Sequence, residues 1–78
     1  MDDTLIRRVM PSSAETEQAV IGSILMDKDE MMNVADILVP DDFYQSEYRM
    51  IYQAMVQINS EGRPVDLVTV HEQLKVYR

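Results

Sequence analysis

The chain has 78 residues, 46% of them apolar, and carries 14 acidic against 7 basic side chains, for a formal charge of -7. That length supports one small domain burying roughly 60% of its unfolded surface; the apolar content argues against wholesale disorder, and the negative field disfavours direct nucleic-acid binding. With no cysteine, disulfides, thiol chemistry and most structural zinc sites are excluded, while the lack of any apolar run near about 20 residues and the acidic start Met1-Asp2-Asp3-Thr4 predict a cytoplasmic protein outside the membrane.

Residues 1–12 show no sustained period and contain the basic doublet Arg7-Arg8; they read as a flexible arm, leaving 13–78 as a helical head. Pro11 precedes Ser12 and Ser13, either of which can accept from free amides at a helix start, and Ser12 with Glu15 has capping-box spacing. The first helix is predicted from about Ser13 to Met26. Val20, Ile21, Ile24 and Leu25 share a face with Ala14, and Glu17 falls in the middle of it. Gly22 lies beside this stripe, where it either lets another backbone approach closely or is simply tolerated at a cost of about 1 kcal/mol.

Asp27-Lys28-Asp29 breaks the period. Met31, Val34, Ala35 and Leu38 then recur at i, i+3, i+4, i+7, predicting a second helix that ends before Pro40. A third helix is entered at Ser46, with Tyr48, Ile51, Tyr52, Met55 and Ile58 on one side, and ends at Ser60-Glu61-Gly62, where Gly62 suits a left-handed cap. Pro64 forces an extended approach, Asp66 caps a fourth helix, and Leu67, Val70, His71 and Leu74 make its apolar face, which Tyr77 continues. No signal terminates that helix before Arg78, so the chain reads as a fragment of a longer one. Four amphipathic stripes joined by short connections predict an all-α fold, a small orthogonal bundle of four main helices without a sheet.

Chemistry-bearing patterns are sparse. Gly22 and Gly62 stand far apart, so there is no glycine-rich phosphate loop, and no nucleophile sits beside a base. The one histidine, His71, falls on the predicted apolar face and reads as a packed or interface residue. The Asp27-Lys28-Asp29-Glu30 and Asp41-Asp42 clusters lack the ligand alternation of a calcium loop and suit solvated turns at helix starts. Of the seven methionines, Met55 reads as core; Met50 lies opposite the third helix's stripe and Met32 at the edge of the second's, making them either contact residues or isolated exposed side chains. Glu17 in an apolar stripe needs a partner. Arg49, bordering the third helix's apolar face, is the candidate for a structural pair because a guanidinium can satisfy a carboxylate with two parallel bonds; a solvent-facing Glu17 or another partner such as Asp42 are the alternatives.

Several blocks agree with one known pattern: Pro11, Ser13, Glu15, Glu17, Gln18, Ala19, Val20, Ile21 and Gly22; Asp42-Phe43-Tyr44; Arg49, Ile51, Ala54 and Met55; and Gly62-Arg63-Pro64-Val65-Asp66-Leu67-Val68-Thr69. From about Arg8 to Leu74 the chain resembles the amino-terminal domain of bacterial replicative DNA helicases of the DnaB type. It departs at Met10 and Ser12, where that family usually reads Pro-Pro-His, at Tyr48 in place of histidine, and at Thr16 and His71 in place of alanine. These departures concern local contacts and remove no catalytic group.

The resemblance implies a non-catalytic head of a collar domain in a helicase that assembles as a hexameric ring, with ATP and magnesium handled by a separate motor domain and no cofactor in this portion. It implies primase, through its carboxy-terminal domain, and a helicase loader as partners. Met32, Met50, His71 and Tyr77 are the possible interface residues on their helix positions alone, without assignment to either partner. Two rivals come from other classes: a free-standing acidic helical adaptor, and a helix-turn-helix-like regulator using Gly62 to Arg78. Asp66 and Glu72 against Lys75 and Arg78 make the latter's helix a poor basic footprint.

Overall fold

A computed structural model describes residues 14–27 and 29–77. Four α-helices follow one another: α1 (Ala14–Met26), α2 (Glu30–Ala35), α3 (Ser46–Ser60) and α4 (Leu67–Val76), with one 3-10 turn at Pro40–Asp42 between α2 and α3. The described residues contain no strand, so the predicted all-α class holds. The predicted arm, the Ser12 and Ser13 caps and Lys28 lie outside the described residues.

The longest helix, α3, is the centre of the packing and touches α1, α2, α4 and the 3-10 turn. Its Tyr52, Ala54, Met55 and Ile58 are fully buried, joined by Ile21 and Ile24 from α1, Met31 and Val34 from α2, Leu38 and Phe43 from the connector, and Val65 and Val70 from the α4 end. Tyr48 and Ile51 pack at the margin of this cluster. Met55 is core, as its place in the stripe predicts.

α3 ends as its sequence dictates. Gly62 adopts φ +74°, the amide of Arg63 donates to the Ile58 carbonyl at 3.2 Å, and the amide of Gly62 donates to the Asn59 carbonyl at 3.0 Å. This is the double closure of a Schellman cap, which a side chain at the left-handed position strains. Among the described residues, its chain neighbours aside, no atom lies within 4 Å of where a Cβ at Gly62 would stand, so the strain comes from the backbone conformation. Gly62→Ala is therefore expected to destabilise the domain by about 1–2 kcal/mol, read as a lower urea midpoint with unchanged slope; an unchanged midpoint would contradict this account of the cap.

A Cβ at Gly22 would likewise meet nothing within 4 Å. Of the two readings of this glycine, tolerance fits and close backbone approach among the described residues does not. The start of α4 is a reciprocal cap, with the Thr69 amide donating to Asp66 Oδ1 at 2.9 Å and the Asp66 amide donating to Thr69 Oγ1 at 3.0 Å.

Two elements differ from expectation. α2 stops at Ala35 instead of running to Pro40, and the chain closes through turns in which the amides of Ile37 and Leu38 both donate to the Val34 carbonyl. Leu38 stays buried, and its carbonyl, released from helix bonding, accepts from the Tyr52 hydroxyl at 2.8 Å. The second difference is the face of α4: Val70 is buried and Leu74 half-buried, but Leu67 is 69% exposed and His71 is exposed. The buried line runs through Val70 and is turned toward Gln73, which is partly covered while His71 is not. With about 100° between successive residues, that rotation carries His71 off the apolar face where its spacing put it.

Candidate protein-contact surface

The best-built polar feature is internal. Glu17 is fully buried in α1. Its Oε2 accepts from the Tyr44 amide at 2.8 Å and its Oε1 from the Gln45 amide at 3.0 Å. Gln45 is the N-cap residue of α3 and makes no side-chain cap bond of its own; Glu17 of α1 takes the Gln45 amide, one of the donors left unpaired at a helix start, and places negative charge at the positive end of the central helix. Arg49 reaches the same segment from the opposite direction, donating from Nε to the Phe43 carbonyl at 3.1 Å and from the guanidinium to the Tyr44 carbonyl at 3.3 Å.

Glu17 and Arg49 thus converge on residues 43–45 and bond that backbone, with no direct ion pair between them. The physical reason is that two amides and two carbonyls outside regular helix need partners. The carboxylate matches the amides and the guanidinium matches the carbonyls. Nor does Glu17 face solvent or pair with Asp42, whose Oδ2 accepts from the Val39 amide at 2.8 Å.

Tyr52 completes the connector's anchorage. It stacks on Phe43 with ring centroids 4.8 Å apart and planes tilted by 30°. Burial, with a smaller contribution from the Asp42 charge, pushes its phenol up to about 12. At the far end of α3, hydrogen bonds from Gln57 and Arg63 hold the Glu61 carboxyl below its ordinary value.

Among the described residues no three histidine, cysteine or carboxylate side chains form a group able to hold a metal ion, and the buried carboxylate is occupied by backbone amides. What the surface offers is apolar area. Met50, 50% exposed, and Tyr77 line a shallow groove of about 570 Å³ between α3 and α4, together with Ile51, Leu74, Ser46 and Glu47. Met32, exposed on α2, and His71 do not line it. Tyr44, Val68 and Val76 are also exposed; spacing did not mark them as contact residues, because single exposed apolar side chains leave no period. Along α4, Lys75 pairs with Glu72 at 3.6 Å, and the described part of that helix has no further cation, so it lacks the basic face that a DNA-reading helix requires.

These features define a small all-α unit with a fixed internal framework and apolar side chains on its surface. The chain belongs to the family of the DnaB-like helicase N terminal domain, whose sequence pattern matches residues 9–77. It is 39% identical over 74 residues to the replicative DNA helicase DnaB of Geobacillus stearothermophilus and 42% identical over 74 residues to the replicative DNA helicase DnaC of Bacillus subtilis (strain 168), in each case covering 95% of this chain and 16% of the relative. The replicative DNA helicase DnaB of Pasteurella multocida is 39% identical over 67 residues, 86% of this chain and 14% of the relative. The chain therefore spans less than a fifth of the length of these relatives. No helix among the described residues is long and apolar enough to cross a membrane.

Proposed function

We propose that this chain is the non-catalytic head of the amino-terminal collar domain of a replicative, hexameric DNA helicase, and that it supports ring assembly and the docking of primase or a helicase loader in the cytoplasm. The observation that carries the reading is the family match across residues 9–77. An apolar groove containing Met50 and Tyr77 supports a docking role, because exposed methionine and tyrosine side chains suit adaptable protein contacts.

ATP and magnesium belong, in this reading, to a motor domain of the parent protein. Among the described residues, Gly22 sits inside α1 and Gly62 caps α3, and neither opens a loop of free amides toward a helix start as a phosphate site needs. The head's contribution is geometric. The surplus of acidic side chains keeps it off the nucleic acid that its parent unwinds, so its contacts are with protein.

Titration of the isotopically labelled chain with the carboxy-terminal domain of primase from the same source, followed by amide NMR, tests this. Localised, saturable shifts are expected, including residues along the α3–α4 groove. A well-dispersed spectrum unmoved by primase and by the loader alike would remove the docking role.

A further inference from the structure

The connector leading into α3 puts two consecutive aromatic rings to opposite use. Phe43 is fully buried against Tyr52, whereas Tyr44 stands 71% exposed. Binding through an aromatic ring on a loose loop must order the loop as well as the ring. Tyr44 avoids that cost. Its amide donates to Glu17 Oε2 at 2.8 Å and its carbonyl accepts from the Arg49 guanidinium at 3.3 Å, so side chains from two helices fix both polar groups of its backbone. The backbone that carries the ring is held in place before any partner arrives, and tyrosines presented on a fixed backbone are frequent centres of protein contacts.

The surrounding charge selects the partner. From residue 39 to 49 the acidic side chains are Asp41, Asp42 and Glu47, and the sole basic one is Arg49, which is engaged by the carbonyls of Phe43 and Tyr44. A second copy of this chain would bring the same net charge of -7, and nucleic acid would bring phosphates, so both meet repulsion. Only a cationic surface gains from approaching here, and Val39, half-exposed at the start of the same connector, adds apolar area. We propose that Tyr44, flanked by Val39, Asp41 and Glu47, is a docking point for a basic segment of a protein partner, in which an arginine or lysine side chain lies on the Tyr44 ring with its charge toward the carboxylates. This rests on the reading of the domain as a protein-docking head, and names the chemistry of one partner surface.

The test uses the labelled 78-residue chain and a capped hexapeptide alternating leucine and arginine, with its leucine–glutamate counterpart as control. Saturable amide shifts are expected in residues 39–47 with the arginine peptide and none with the control. Tyr44→Ala should weaken binding roughly two- to fivefold, Tyr44→Phe should restore it, and Asp41→Asn should weaken it further. Shifts spread equally over Asp27, Asp29 and Glu61, or an affinity unchanged in a folded Tyr44→Ala, would overturn the proposal. The map on the unsubstituted chain decides the matter even where a variant fails to fold. Arginine-peptide binding at residues 39–47 without any primase response would leave this surface standing and remove the proposed primase contact; primase shifts without peptide binding would do the reverse.

Discussion

Glu17→Ala is expected to lower the unfolding free energy by roughly 3 kcal/mol, a large share of the stability that a domain of this size commands. The substitution leaves the Tyr44 and Gln45 amides without the acceptors they have at 2.8 and 3.0 Å, and hydrogen bonds to a charged group contribute about 1.5–3 kcal/mol each. It also empties the volume of a fully buried side chain, and cavities in close-packed cores close only partly. Glu17→Gln should not rescue the loss, since it trades one acceptor oxygen for an amino group facing an N–H donor. Arg49→Ala should cost less, about 1 kcal/mol, because Arg49 is exposed, its bond to the Tyr44 carbonyl is exposed, and removing it opens no core cavity. Urea unfolding followed by circular dichroism measures all three. A Glu17→Ala midpoint indistinguishable from that of the unsubstituted chain would show that the bonds to residues 44 and 45 do not hold α1 to α3.

The second large effect appears at high pH. The Tyr52 phenol is pushed from 10.0 up to about 12, first by burial and then by the charge of Asp42. Below pH 10 the folded and unfolded chains both keep the proton, and the contribution to stability is complete. Between about 10 and 12 the unfolded chain releases it while the folded chain does not, so stability falls as pH rises, by about 2–3 kcal/mol in all. Above that range the slope from this group vanishes. Tyr52→Phe removes the slope but also the hydroxyl bond to Leu38 at 2.8 Å, worth about 1 kcal/mol. The variant should thus be the less stable protein at pH 8 and the more stable one near pH 12, with the two curves crossing between. Parallel curves over that range would mean that the phenol ionises as readily folded as unfolded.

How far these features could be read in the sequence depends on the range of the interaction. The end of α3 was legible because Gly62 acts on its own neighbours, and the Asp66 cap because its partner Thr69 is three residues away; α3 does start at Ser46, but its N-cap Gln45 makes no side-chain cap bond. The stripe on α1 made Glu17 conspicuous as a carboxylate among Val20, Ile21 and Ile24. Its partners were not legible, since backbone amides 27 and 28 residues distant have no side-chain signature, and the eye goes to Arg49 as the obvious cation. The short α2 has a similar origin: Leu38 keeps helical spacing and stays buried, but its carbonyl is taken by Tyr52, which no periodicity records. On α4, spacing alone gave a face that included Leu67 and His71; the docking of α3 selects the part of that arc around Val70. In the connector no period exists to say which of Phe43 and Tyr44 turns inward. The candidate contact residues divide on the same principle, with Met50 and Tyr77 joined in one groove by packing between helices and Met32 and His71 outside it.

The junction at Glu17 also bears on how the domain comes apart. Because the start of α3 takes its acceptor from α1, unzipping α1 from its end strips the cap from the helix against which every other element packs. Partial opening then gains little chain entropy before it meets the full loss of the core. The domain should come apart as one cooperative unit, with the amides of Tyr44 and Gln45, though they lie outside any helix, exchanging with solvent as slowly as those in the middle of α3.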